Sequence, residues 1–141
     1  MPGAASLAAG QYYAHPRNAF WPIMGELIGA GPDKPYANRT VLLRANQTAL
    51  WDVLQNCTRP GSLDSNIADE VPNDFAAFFA AHPRIERVAL NGGAAFKFFR
   101  KYAAHLAPAG AAIVQLPSTS PAHAARSFAE KCKLWREGLA L

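Results

Sequence analysis

From Glu86 onward the sequence passes twice through the same order of signals: a short apolar run, a tight turn or loop, then a helical pattern. This repeat restricts the fold more than any other feature of the chain. Arg87 to Leu90 reads as a strand, Asn91-Gly92-Gly93 as a tight turn, and Ala94 to Ala104 as a helix with Phe96, Phe99 and Tyr102 on one side. Ala111 to Leu116 reads as a second strand and Pro117 to Ser120 as a loop. Pro121 to about Gly138 follows as a helix with Phe128, Cys132, Trp135 and Leu139 at helical spacing. Strands alternating with helices predict an α/β fold with a mainly parallel sheet covered on both faces. Ligands of such sheets gather beyond the carboxyl ends of the strands, here Asn91–Gly93 and Pro117–Ser120, and the conspicuous stretch at Gln11–Trp21 is expected to pack nearby.

The first half is less regular. Residues Met1 to Tyr13 are small and glycine-containing and read as loop. Asn18 offers a side-chain oxygen ahead of a helix that carries Phe20, Met24, Leu27 and Ile28 on one face, tolerates Pro22 in its first turn and stops at Gly29, Gly31 and Pro32. A second helix is expected from Tyr36 to about Ala45, a buried strand over Ala49 to Leu54, and a short aromatic helix over Pro72 to Ala81. With 141 residues, 50% of them hydrophobic and 17% charged, the chain suits one compact domain over 1–141. A formal charge of +4 permits a polyanionic partner without requiring one. Cys57 and Cys132 stand far apart with no metal-ligand spacing, so no zinc site or four-cysteine iron–sulfur cluster is expected, and a pair of reduced cytoplasmic thiols is the simplest reading. No segment reaches the roughly 20 apolar residues that span a bilayer, and the first residues lack a basic head, so a soluble, cytoplasmic protein is expected.

Gln11 to Trp21 sets four aromatics, a histidine, an arginine and an asparagine around Pro16. That is more aromatic area than a surface loop needs and more polarity than a core segment carries, which makes it the candidate active site. Tyr12 and Tyr13 could belong to a core, yet flat rings in a polar loop suit base stacking, worth about 1–3 kcal/mol per base. His15 alone is more often a structural histidine, and capping is what an asparagine before a helix normally does. In Pro117-Ser-Thr-Ser-Pro121, capping by Ser120 would account for one hydroxyl and leave Ser118 and Thr119 unexplained, so phosphate contact at a helix start is favoured there. Arg59 and Ser62, beside the Pro60-Gly61 turn, could likewise meet a phosphate, although a solvated turn is the commoner meaning. Lys97, Arg100 and Lys101 form a basic cluster that most simply is a solvated face. No catalytic triad, paired carboxylates or metal-ligand set is evident, so an enzyme built on this chain would use neutral polar groups.

Tyr13-Ala-His-Pro-Arg-Asn-Ala-Phe-Trp21 resembles the segment after the first motif in the mismatch-specific branch of the uracil-DNA glycosylase superfamily. Leu116-Pro-Ser-Thr-Ser-Pro121 is similar to the last motif of that superfamily, and Trp51-Asp-Val-Leu, Arg59-Pro-Gly-Ser-Leu-Asp and Leu90-Asn-Gly follow the same order of landmarks. The combination, covering nearly the whole chain, is most similar to the hypoxanthine-DNA glycosylases, also called DNA-deoxyinosine glycosylases. The resemblance implies a three-layer α/β/α sandwich and a monofunctional enzyme that flips a deaminated base out of DNA and excises it without metal or cofactor, acting as a monomer. Hypoxanthine is the first expectation; uracil, or a non-catalytic nucleic-acid-binding role, is the alternative.

The resemblance also assigns residues. The asparagine of the relatives' first motif falls on Met1 here, so the essential role passes to Asn18, with His15 donating to the base or ordering the loop. Tyr13 would stack on the flipped base, backbone groups near Pro2 and Gly3 would line its pocket, and Pro117, Ser118, Thr119 and Ser120, with Arg59 and Ser62, would face the DNA. His123 stands in the final motif where a different polar or aromatic residue is more usual. Relatives carry an apolar strand just before the first motif, so a start roughly 15–20 residues upstream, supplying that first strand, is expected.

Overall fold

A computed structural model describes residues 1–141, the side chain of Ser62 excepted. It has the mixed α/β content expected, and its internal contacts resolve into two compact units: Asp52–Leu116 with Met1, and Pro2–Trp51 with Pro117–Leu141.

The first unit holds four strands and two helices. Strand β1 (Leu54–Thr58) pairs antiparallel with β2 (Ala68–Pro72) in an irregular register, Leu54 opposite Pro72 and Thr58 opposite Ala68. The expected strand over Ala49–Leu54 is therefore displaced: pairing starts only at Leu54. The side chain of Asn73 donates to Asp52 O at 2.7 Å and its backbone N–H to Val53 O at 3.0 Å, so this one residue occupies carbonyls that a ladder would have used. Helix α4 (Phe75–Ala81) starts later than expected, at Asp74, whose carboxylate accepts from the Ala77 N–H.

The strand–turn–helix repeat is found close to where the pattern sets it. Strands β3 (Arg87–Asn91) and β4 (Ala112–Leu116) pair parallel and in register from Arg87–Ala112 to Asn91–Leu116, joined through α5 (Gly93–Tyr102). Between β3 and α5 the backbone turns at Gly92, whose φ of 91° is open at little cost only to glycine, while its N–H donates to Leu116 O at 2.9 Å. Phe75, Phe79, Leu90, Phe99 and Ala103 form the buried core, with Phe75 and Phe99 edge-to-face at 5.3 Å. Of the face expected through Phe96, Phe99 and Tyr102, Phe99 is fully buried in this core and Phe96 packs against it half-buried, while Phe98, not expected there, is buried as well.

Lys101 on α5 reaches Glu70 on β2 at 2.8 Å, and the Tyr102 hydroxyl donates to the same carboxylate at 3.1 Å. The Lys101 hydrogen bond, then the backbone N–H of Glu70 itself, holds that carboxyl down to about 2, and Glu70 in turn raises the Lys101 pKa. A folded pKa depressed below the ordinary 4.5 adds stability that is complete above that pH and is lost as pH falls towards 2. The denaturation midpoint of Glu70→Gln should therefore lie below wild type at neutral pH, and the gap should close on acidification. A gap that stays constant with pH would show that the ion pair contributes nothing.

The second unit is helical. Residues Met1–Tyr13, expected as loop, contain α1 (Ala4–Ala9), because Ala-Ala-Ser-Leu-Ala-Ala is strong helix-forming sequence and Gly10, at φ 61°, closes it. Helix α2 (Phe20–Ile28) ends at Gly29 in the left-handed conformation, and α3 (Tyr36–Ala45) has the bounds expected. Beyond α2 the chain doubles back so closely that a Cβ on Gly25 would lie 3.0 Å from Gly31 Cα. Helix α6 (Phe128–Leu139) begins seven residues later than the expected Pro121 (128 − 121 = 7). Its start is fixed by a capping box: Ser127 Oγ accepts from the Glu130 N–H at 3.2 Å, and Glu130 accepts from the Ser127 N–H at 2.8 Å. Trp135 and Lys131 are the buried positions of α6, whereas Phe128 is exposed. Helices α2 and α6 meet through Phe20 and Trp135, edge-to-face at 5.7 Å.

Candidate functional site

The loop between α1 and α2 is held as a series of short local turns. The Asn18 N–H donates to His15 O at 2.9 Å and the Arg17 N–H to His15 Nδ1 at 3.1 Å. With Nδ1 accepting, the neutral imidazole carries its proton on Nε2, on an exposed side chain. Asn18 Oδ1 accepts from the Phe20 N–H at 3.0 Å in an Asx-type turn that fixes the amide plane; the capping position of α2 is Ala19, so Asn18 stands one residue ahead of the cap expected of it. That contact uses one lone pair. The second lone pair and the two N–H donors of the NH2 group complete the hydrogen-bonding capacity of this amide.

Tyr13 sits at φ 54°, and its ring stacks on Phe20 with centroids 4.1 Å apart. Phe20 is 2% exposed and Tyr13 half-buried, so the pair is an aromatic floor with one partner in the core and the other at the loop surface. Trp21 and Tyr36 bracket the preceding residue: Trp21 Nε1 donates to Tyr12 O at 2.9 Å, and the Tyr36 hydroxyl accepts from the Tyr12 N–H at 3.1 Å. Tyr36 is a contributor that sequence reasoning missed. The contact spans 24 residues, and no local pattern announces it.

Pro117–Ser120 is joined to this loop, as the strand-end argument expected. The Ala19 N–H donates to Thr119 O at 2.9 Å, and Trp135 Nε1 donates to Pro117 O at 2.9 Å. Thr119 is 1% exposed, so its side chain belongs to this joint and is withdrawn from a DNA-facing surface. The helix start expected at Pro121 is absent, and with it the dipole argument for a phosphate there. Ser118 Oγ instead accepts from the Ser120 N–H at 3.2 Å, and Ser120 Oγ from the Ala122 N–H at 3.3 Å, which leaves each hydroxyl proton to donate. The exposed stretch Pro121–Arg126 is tethered from below by Lys131, a buried ammonium donating to His123 O at 2.7 Å.

Other expected positions are placed less favourably. Arg59 pairs with Asp64 at 3.0 Å, its side chain only 10% exposed, so this guanidinium is already engaged. Ser62, whose side chain lies outside the described residues, cannot be assigned. Gly3 leads into α1, its carbonyl accepting from the Leu7 N–H at 3.0 Å, and Pro2 beside it is half-buried. Among the described residues no group of His, Cys, Asp and Glu is placed to hold a metal ion, and no helix is long and apolar enough to cross a membrane.

A parallel βαβ unit in the first unit, and in the second a stacked Tyr13–Phe20 pair beside a turn-fixed amide, define the class as α/β. Comparison with known proteins gives this class a family. A solution structure of a candidate uracil-DNA glycosylase from Methanosarcina acetivorans superposes with a TM-score of 0.76 and 31% identity, covering 96% of this chain and 84% of that one, so the α/β/α sandwich of that protein is the fold here. Hypoxanthine DNA glycosylases of Methanosarcina barkeri and Methanosarcina acetivorans are 38% and 37% identical over 93 residues, 65% of this chain. The matched region spans 59% of the length of each of those relatives. No family model matches the chain. The chain belongs to the uracil-DNA glycosylase superfamily.

Proposed function

We propose that the protein is a monofunctional DNA glycosylase that excises a deaminated base, hypoxanthine from deoxyinosine first. The observation that carries this reading is Asn18, whose amide is fixed through one lone pair and keeps its remaining groups for chemistry beside the Tyr13–Phe20 floor. Breaking an N-glycosidic bond builds positive charge on the sugar and negative charge on the departing base. Asn18 Oδ1 would order the attacking water and its NH2 would donate to the base or a neighbour. The His15 Nε2–H would donate to the leaving base as charge accumulates, while Tyr13 stacks on the flipped ring. The electrophile is reactive enough that a strong general base is dispensable.

Neither the Gln11–Trp21 loop nor Pro117–Arg126 contains a lysine, and the nearby Lys131 is buried with its ammonium donating to His123 O, which favours hydrolysis over lyase chemistry. Backbone groups at Pro2 and Gly3 would line the base pocket, and the hydroxyls of Ser118 and Ser120, beside the half-buried Pro117, would meet the DNA strand, while the buried Thr119 would hold that turn against Ala19. Arg59 would contribute only if its pair with Asp64 opens. Hypoxanthine carries a carbonyl where adenine has an amine, so a donor at that edge would select it, and adenine's own donor would meet it badly.

Purified protein incubated with duplexes containing inosine, uracil or no lesion, then treated with alkali, should yield strand scission on the inosine duplex. The superposed candidate uracil-DNA glycosylase supports uracil as the second reading, and scission on uracil alone would establish it in place of the first. Binding without scission on either duplex would refute the enzymatic assignment.

A further inference from the structure

We infer that Tyr36 is a positioning residue of the base site, acting through the peptide of Tyr12 to hold the Tyr13 ring in its stacking pose; this rests on the glycosylase reading above. Tyr13 is the one residue of its loop other than glycine in the left-handed region, at φ 54°, a conformation that a Cβ disfavours. Such a backbone persists where its surroundings over-determine it. Three side chains distant in sequence do so here. The Tyr36 hydroxyl takes the N–H of Tyr12 at 3.1 Å, Trp21 Nε1 takes its carbonyl at 2.9 Å, and Ser6 Oγ takes the N–H of Ala14 at 3.1 Å. The backbone is thus gripped on either side of Tyr13, and the ring is delivered onto Phe20 at 4.1 Å.

Tyr36 is itself fixed. Its ring meets Trp21 edge-on at 5.8 Å, and the Arg39 guanidinium lies over both rings, 4.7 Å from Trp21 and 5.5 Å from Tyr36, with its Nε donating to Lys34 O at 3.0 Å. Removing only the hydroxyl should leave this packing in place and release one end of the Tyr12 peptide. Because a reacting group displaced by a fraction of an ångström loses rate, the cost should fall on the chemical step more than on DNA binding.

The test is a double-mutant cycle on the full chain. Tyr36→Phe should slow single-turnover excision from an inosine duplex by roughly three- to tenfold, the effect of one hydrogen bond, with affinity for undamaged duplex unchanged. In a Tyr13→Ala background the same substitution should change the rate by less than about twofold, because there is no ring left to position. An equal loss in both backgrounds, or no loss in either, would overturn the inference. The stack also has a readout independent of activity: Tyr36→Phe should shift the ring-current-displaced proton resonances of Phe20, and unmoved resonances would overturn it. A wild-type protein without excision on any lesion would refute the glycosylase reading, while the Phe20 resonances would still decide the role of Tyr36.

Discussion

Asn18→Ala should reduce excision by about a hundredfold or more, the size of effect seen when a group acting on the transition state is removed. The same substitution removes the acceptor for the Phe20 N–H, so a loss of about 1 kcal/mol in stability should accompany it. These effects can be separated. Asn18→Asp retains an oxygen to receive the Phe20 N–H but has no NH2 group to donate. If ordering the water through Oδ1 is sufficient, the Asp variant will keep both stability and most activity; if donation to the base or a neighbour matters, it will keep stability alone. Single-turnover strand scission beside thermal denaturation distinguishes these outcomes. An Ala variant with wild-type rate would remove Asn18 from the mechanism.

Phe20→Ala should be the most damaging change to stability in this region, at about 3–5 kcal/mol by the usual cost of emptying a buried aromatic site. Phe20 is 2% exposed and touches three rings: Tyr13 at 4.1 Å, Trp21 at 4.9 Å and Trp135 at 5.7 Å. That loss is a large fraction of the roughly 5–15 kcal/mol that holds a domain together, so the denaturant midpoint should fall sharply. Phe20→Leu should fold better, yet still lose excision rate beyond what its stability accounts for, since a branched aliphatic chain is a poor floor for the Tyr13 ring. A Phe20→Ala midpoint close to wild type would mean that the three rings repack without it.

The parts legible in the sequence are those that local chemistry settles. Asn91-Gly92-Gly93 is a turn because the backbone at Gly92 needs positive φ, and the flanking apolar runs then become β3 and α5. Tyr36–Ala45 carries its helical pattern without interruption. Asn18 bonds a backbone N–H only two positions on, so a local contact at the head of α2 is legible in the sequence, although the cap itself falls on Ala19. The structure departs from the local pattern where a second local signal is stronger or where a distant partner decides. Pro121 looks like a helix start, yet Ser127 and Glu130 form the reciprocal cap and move the start to Phe128. The hairpin β1–β2 lacks alternating apolar residues, so Leu54–Thr58 left little trace. Arg59 looked available for a phosphate until Asp64, five residues on, was seen to hold it. The grip of Tyr36 on Tyr12 has no counterpart in local sequence at all.

The closeness of Gly25 to Gly31 bears on how this protein could be made more robust. Swapping a mid-helix glycine for alanine ordinarily adds about 0.5–1 kcal/mol, and Gly25 inside α2 would be an obvious choice for such a change. Here the added methyl would meet main chain at 3.0 Å, which cannot swing aside as a side-chain tip would. The Gly31 backbone would have to give by a few tenths of an ångström to admit the methyl, so the gain that alanine brings to an ordinary helix interior is offset at this point of α2.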